Sequence, residues 1–138
     1  EPEESARIKM SVAPMAPETP YMRYYQTKYP DSDSPINVIS WQENHLMLAE
    51  LALQGQSVGV NALDAVNAVR AAHGISNLAN VDLSALLHER DKELFCQGQR
   101  IIDQNRHADL LNWHLGESST WHFLPIPYEE ELANPNYP

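Results

Sequence analysis

The fold is decided by residues 87–100, which read LHERDKELFCQGQR. At 3.6 residues per turn, Arg90 lies on the same helical stripe as Leu83 and the leucines that follow, so a charge occupies a face that should be buried. An unpaired buried guanidinium costs several kcal/mol, and we therefore expect Arg90 to contact Glu93 or Glu50. The sequence predicts a structural ion-pair network of Glu50, Arg90 and Glu93, and a catalytic Arg/Glu pair is the alternative.

Four groups of residues follow one another between positions 36 and 138. They are Ile39-Ser40-Trp41-Gln42-Glu43 with Leu48-Ala49-Glu50, then Ala65-Val66-Asn67-Ala68-Val69-Arg70, then Glu89-Arg90, Glu93-Leu94, Gly98, Arg100, Asp103 and Arg106, and finally Trp121-His122-Phe123-Leu124-Pro125-Ile126-Pro127 with Asn134-Pro135-Asn136. In this order they resemble the motifs of the SusD/RagB family of outer-membrane nutrient-binding lipoproteins. The ordered set is far more specific than any one of its members.

This resemblance implies a function and a location. It implies non-catalytic binding of an oligosaccharide or other nutrient at the bacterial outer surface and its delivery to a TonB-dependent, SusC-like transporter. It also implies a lipid-anchored, surface-exposed protein of the cell outer membrane. The first residues lack the basic start and apolar stretch of a lipoprotein signal, so we expect this chain to be part of a longer polypeptide whose remainder is a further partner.

Two alternatives to nutrient binding stay open. One is a helical scaffold for protein–protein docking that has no ligand of its own. The other is an enzyme that acts on glycans, although Glu89 and Glu93, one helical turn apart, would lie on the same side of a substrate instead of flanking a scissile bond. The sequence therefore favours a protein that is not an enzyme.

Proline placement divides the chain into three parts. Six of the ten prolines precede Ile36 and four follow Leu124, which leaves a long segment where helices can form. We predict an extended arm rich in Pro and Tyr over 1–35, a helical core over 36–124 and a Pro-rich C-terminal arm over 125–138, together one domain of a larger SusD-like protein.

Four helices are predicted within the core. They run from about Asn37 to Gln54, from the N-cap Asn61 to Gly74, from the N-cap Asp82 to about Gln97, and from about Gln99 to His114. Helices paired across short Gly-containing loops indicate helical hairpins, and the resemblance implies that these are tetratricopeptide-like. The expected fold is therefore all-α, with tetratricopeptide-like helical hairpins and long irregular arms.

Aromatic residues are the candidates for ligand contact. Tyrosines cluster between Pro20 and Pro30, and a flat aromatic ring can stack on the apolar face of a sugar. The candidates are Tyr24, Tyr25, Trp113 and Trp121. The alternative is that these tyrosines attach a long loop to the helices, with each hydroxyl hydrogen-bonded.

Composition argues against several other classes of function. The net charge of −10 disfavours a nucleic-acid partner, whose phosphates would repel the chain. His107, His114 and His122 lack the i, i+4 spacing of a helical metal pair, and no nucleophile elbow, phosphate loop or dinucleotide fingerprint occurs. We expect no cofactor and no metal. Cys96 is the only cysteine, and its predicted helical position suggests a small apolar filler.

Overall fold

The computed structural model describes residues 2–15, 21–111 and 128–134. The chain divides into two units, Glu1–Arg100 and Ile101–Pro138. The first unit contains a 3-10 helix, Pro2–Ala6, the strands β1, Met10–Pro14, and β2, Met22–Gln26, and the helices α1, Trp41–Leu53, α2, Ala62–Ala72, and α3, Leu83–Glu93. Helix α4, Arg100–Arg106, starts at the last residue of the first unit, and α5, Tyr128–Ala133, lies in the second.

The prediction of an all-α fold with tetratricopeptide-like hairpins is wrong. Strands β1 and β2 form a small antiparallel sheet whose register runs from the Met10–Gln26 pair to the Pro14–Met22 pair. Proline can occupy the end of an edge strand, where its missing N–H breaks no ladder bond, so Pro14 is compatible with pairing. The segment predicted as an irregular arm thus contains a β-hairpin, and the described residues form a mixed α and β structure.

Two of the predicted helix starts are confirmed by their capping bonds. The Asn61 side chain accepts hydrogen bonds from the N–H groups of Leu63 and Asp64, and α2 begins at the next residue. The Asp82 carboxylate accepts from Ala85 N at 2.7 Å and starts α3. Both satisfy backbone donors that the first turn of a helix leaves without intrahelical partners.

The start of α1 and the end of α3 differ from prediction. Helix α1 begins at Trp41 because the hydroxyl of Ser40 caps the Glu43 N–H, four residues later than expected. Helix α3 ends at Glu93 instead of Gln97, and Cys96 has a φ of 60°, in the left-handed region that interrupts a right-handed helix. Cys96 is exposed, so its prediction as an apolar filler inside a helix is wrong.

The core of the first unit lies where α1 packs against α2 and α3. Its fully enclosed side chains are small and aliphatic, and they come from all three helices: Leu46, Ala49, Ala65, Val66, Val69 and Leu86. Asn67 secures the loop between α2 and α3, because its amide donates to Leu78 O at 3.1 Å and accepts from Leu78 N at 2.8 Å. The packed helices thus position the buried charged residues that α2 and α3 carry beside this core.

Candidate functional site: an aromatic hairpin on a buried ion-pair network

One face of the hairpin is apolar and exposed. Side chains alternate across a strand, and Val12 lies opposite Tyr24, so Met10 and Met22 share their face. All four side chains are exposed, with Tyr24 at 66%. A contiguous exposed apolar surface of this kind is typical of a binding surface.

The opposite face of the hairpin carries the other candidate tyrosine. Tyr25 lies opposite Ser11, and the Arg23 guanidinium stands 5.9 Å from the centre of the Tyr25 ring. Arg23 Nη1 also donates to the Tyr25 hydroxyl at 3.4 Å. Tyr24 and Tyr25 therefore point to opposite faces of the sheet and cannot form one continuous platform, although both rings remain exposed for stacking.

A buried network of ion pairs joins the N-terminal 3-10 helix to α2 and α3. Arg7 Nη2 lies 2.8 Å from Glu4 Oε2 and 2.8 Å from Glu89 Oε2. Arg70 Nη1 lies 2.8 Å from Glu89 Oε1, and Lys92 Nζ lies 2.9 Å from Glu4 Oε1. Glu4 and Glu89 thus each contact two or more cations, which offsets the large cost of removing their charges from water.

The electrostatics of Glu4 follow from these contacts. Burial alone would raise the pKa of Glu4, but hydrogen bonds from Arg7 and Lys92 favour the carboxylate and lower its pKa from 4.5 to about 2. Burial would likewise lower the pKa of Arg7, and its bonds to Glu4 and Glu89 raise it instead. The two groups therefore stay charged at neutral pH.

The three residues of the predicted ion-pair network, Glu50, Arg90 and Glu93, differ from one another in the contacts that they make. Glu93 lies within this network, 2.9 Å from His73 Nε2 and 4.0 Å from Arg7 Nη1. Glu50 and Arg90 are buried, and each has a polar or electrostatic partner. Contact of Arg90 with Glu93 or Glu50 stays a prediction. Of the other candidates, Trp113 and Trp121 lie outside the described residues.

Sequence reasoning missed most members of the network. Arg70 carried a usable signal, because it lies four residues after Val66 on the buried stripe of α2, as Arg90 does on α3. Glu4 and Arg7 carried none, since the 3-10 helix is short and has no apolar period. Apart from each other, their partners lie on α2 and α3, more than sixty residues away in sequence.

The described residues place limits on the chemistry available to them. They contain no group of three or more His, Cys, Asp or Glu side chains arranged to hold a metal ion. Within the same ranges, no helix is both long enough and apolar enough to span a bilayer. Glu89 is held by the buried Arg7 and Arg70, and Glu93 contacts His73, which is an arrangement suited to structural support.

Comparison with known proteins gives no relative for this chain. It matches no protein-family model, and neither the curated proteins nor the solved structures give a match.

Proposed function

We propose that this chain is part of a non-catalytic nutrient-binding protein of the SusD/RagB class. It captures an oligosaccharide or other nutrient at the bacterial outer surface and passes it to a TonB-dependent transporter. The observation that carries the proposal is the ordered set of four motif groups, which includes Glu89, Arg90 and Glu93 and ends in Asn134-Pro135-Asn136. The protein would be held at the outer membrane by a lipid anchor, as the resemblance implies.

The burial of several motif residues supports a structural role for them and leaves the stacking on a ligand to other residues. Arg70, Glu89, Arg90 and Glu93 are all buried, which suits support of the fold. Stacking on an oligosaccharide then falls to exposed aromatic residues. In the described ranges the exposed rings of Tyr24 and Tyr25 are suited to stacking on a sugar ring, because each offers a flat apolar surface beside a hydroxyl.

The test is a glycan array probed with the purified protein and with matched variants. We expect Tyr24→Ala to weaken oligosaccharide binding roughly three- to tenfold, since an aromatic contact contributes about 0.5–1.5 kcal/mol beyond the area that it buries. Tyr128→Ala is the control, because Tyr128 on α5 is exposed to the same 66% as Tyr24. Equal loss in both variants would mean that the hairpin has no special role.

A docking scaffold without a ligand of its own is the second candidate function. The apolar face of the hairpin favours it, because Met10, Val12 and Met22 are about half exposed and suit a protein surface as well as a sugar. Silence across a broad oligosaccharide panel would favour docking over nutrient binding.

A further inference from the structure

A cavity of about 290 Å³ lies in the first unit, close to the ion-pair network. Three of its lining residues are cationic, namely Arg7, Lys9 and Lys28, and Glu93 is the one carboxylate among the described residues that line it. The chain as a whole carries a net charge of −10. A local excess of positive charge in so acidic a chain favours an anionic ligand at this point.

Arg7 is a buried cation in the wall of the cavity. Its side chain is only 1% exposed, and its Nε and Nη2 atoms donate to Glu4. Among the described residues its enclosed Nη1 and the Oε2 atom of Glu93 both lack a hydrogen-bond partner, and they lie 4.0 Å apart, which is too far for a direct bond. Because Arg7 is enclosed and already paired with Glu4 and Glu89, the two lysines are the cations of the lining that can contact a ligand directly.

The two lysines add further positive charge to the lining of the cavity. Lys28 Nζ donates to the carbonyl oxygens of Glu93 and Phe95 at 3.2 and 3.1 Å, so it caps the end of α3. An ammonium group has three protons, and a third remains for a ligand. Lys9 is exposed and forms no ion pair with a carboxylate of the described residues.

Four uncharged polar residues supply most of the remaining lining, beside Ala6 and His73. The amide side chains of Asn37, Gln42 and Gln97 border the cavity, as does Ser40 at the N-terminus of α1. Amides both donate and accept, and they therefore match hydroxyl groups. The positive end of the α1 dipole adds to the preference for an anion.

We propose that this cavity binds a small organic anion that carries one carboxylate on a hydroxylated skeleton. The carboxylate is held by Lys9 and Lys28, and the hydroxyl groups bond to the neighbouring amides. The volume is at the lower end of the range for small-molecule sites and suits a ligand of monosaccharide size. This site is separate from the hairpin tyrosines, and the inference holds whether or not the protein delivers an oligosaccharide to a transporter.

The test is isothermal titration of the purified protein with glucuronate, glucose and inorganic phosphate. We expect glucuronate to bind at least tenfold more tightly than either glucose, which lacks the carboxylate, or phosphate, which lacks the hydroxylated skeleton. No saturable heat with glucuronate, or equal affinity for glucose, overturns the proposal. Phosphate binding as tight as that of glucuronate overturns the assignment of a hydroxylated ligand.

Matched variants locate the binding. Lys9→Gln should weaken glucuronate binding roughly three- to tenfold, and it leaves the folded structure intact because Lys9 is exposed and has no ion pair in the described ranges. Arg100→Gln removes the same charge from an exposed pair with Asp91 outside the cavity lining, and it should leave the affinity unchanged. Equal effects of the two variants would show a general charge effect and overturn the site.

Discussion

At the scale of single residues, Arg7 does the most to connect distant parts of the chain. Arg7 directly follows the 3-10 helix, and its guanidinium contacts Glu4 in that helix and Glu89 on α3, so it connects the N-terminus to the helices. These ion pairs stabilise the protein mainly because the guanidinium of Arg7 and the carboxylates of Glu4 and Glu89 are buried. A buried charge that loses its partner keeps the cost of its removal from water.

Replacing Arg7 should therefore destabilise the protein strongly. We expect Arg7→Ala to lower the free energy of unfolding by about 3–5 kcal/mol, because Glu89 would stay buried with less compensation. Urea unfolding followed by circular dichroism measures this loss of unfolding free energy. Arg100→Ala, which removes an exposed pair with Asp91, should cost less than about 1 kcal/mol, and a similar cost for both would mean that the Arg7 network is solvated.

The lowered pKa of Glu4 makes stability depend on pH. A carboxyl whose pKa falls from 4.5 to about 2 on folding adds stability that is fully present above about pH 4.5 and is lost as the pH falls towards 2. Glu4→Gln should thus be less stable than the parent protein at pH 7, with the difference shrinking through that window. The unfolding free energies of the parent protein and of Glu4→Gln, measured at several pH values, test this prediction. A difference between the two proteins that does not change with pH would contradict the role of Glu4.

The sequence reached only part of this network. The position of Arg90 on an apolar stripe predicted buried charge on α3, and Arg90, Glu89 and Glu93 are indeed buried. The contact of Glu89 with Arg7 could not be inferred, because Arg7 lies in a short N-terminal segment without hydrophobic periodicity. Long-range ion pairs between isolated charges leave no local pattern in a sequence.

At the scale of elements, helix starts were easier to predict than the hairpin. Asn61 and Asp82 are polar residues directly before apolar periods, and each caps its helix as expected. The strands are only five residues long and lie among prolines. The alternation of apolar and polar side chains around Val12 was therefore too short to predict a strand. The end of α3 was missed because a left-handed residue at Cys96 has no strong sequence signal.

The Asp82 cap gives a clean test of these assignments. Asp82→Ala removes the acceptor of the Ala85 N–H and should cost about 0.5–2 kcal/mol of unfolding free energy. Asp82→Asn keeps a capping oxygen and should stay within a few tenths of a kcal/mol of the parent. Thermal or urea unfolding of the three proteins compares them, and equal losses in both variants would argue against a capping role.

The hairpin should open more readily than the helices. Its backbone ladder is extended by the Thr27 N–H bond to Lys9 O, but nearly all its side chains are exposed, and two-stranded hairpins are marginal without a packed face. We expect the amides of β1 and β2 to exchange with deuterium well before those of α2, as measured by mass spectrometry of peptides. Protection equal to that of α2 would mean that the apolar face is covered in solution.

At the scale of the whole molecule, the proposed function assigns structural and binding roles to different residues. Buried charges such as Glu89 and Arg70 pair with Arg7 and Glu4 of the N-terminal segment, whereas the exposed Tyr24 of the hairpin is the proposed contact for a ligand. The resemblance to nutrient-binding lipoproteins suggested the function, but fold class had to come from the structure. A two-stranded sheet in a segment full of prolines was beyond what composition predicted.

The most direct test of the central claim is native mass spectrometry of the protein incubated with a panel of oligosaccharides. We expect a complex whose mass equals the protein plus one intact oligosaccharide, and a smaller fraction of complex for Tyr24→Ala than for Tyr128→Ala. Unbound protein across the whole panel, or release of shortened saccharides, would contradict binding without catalysis.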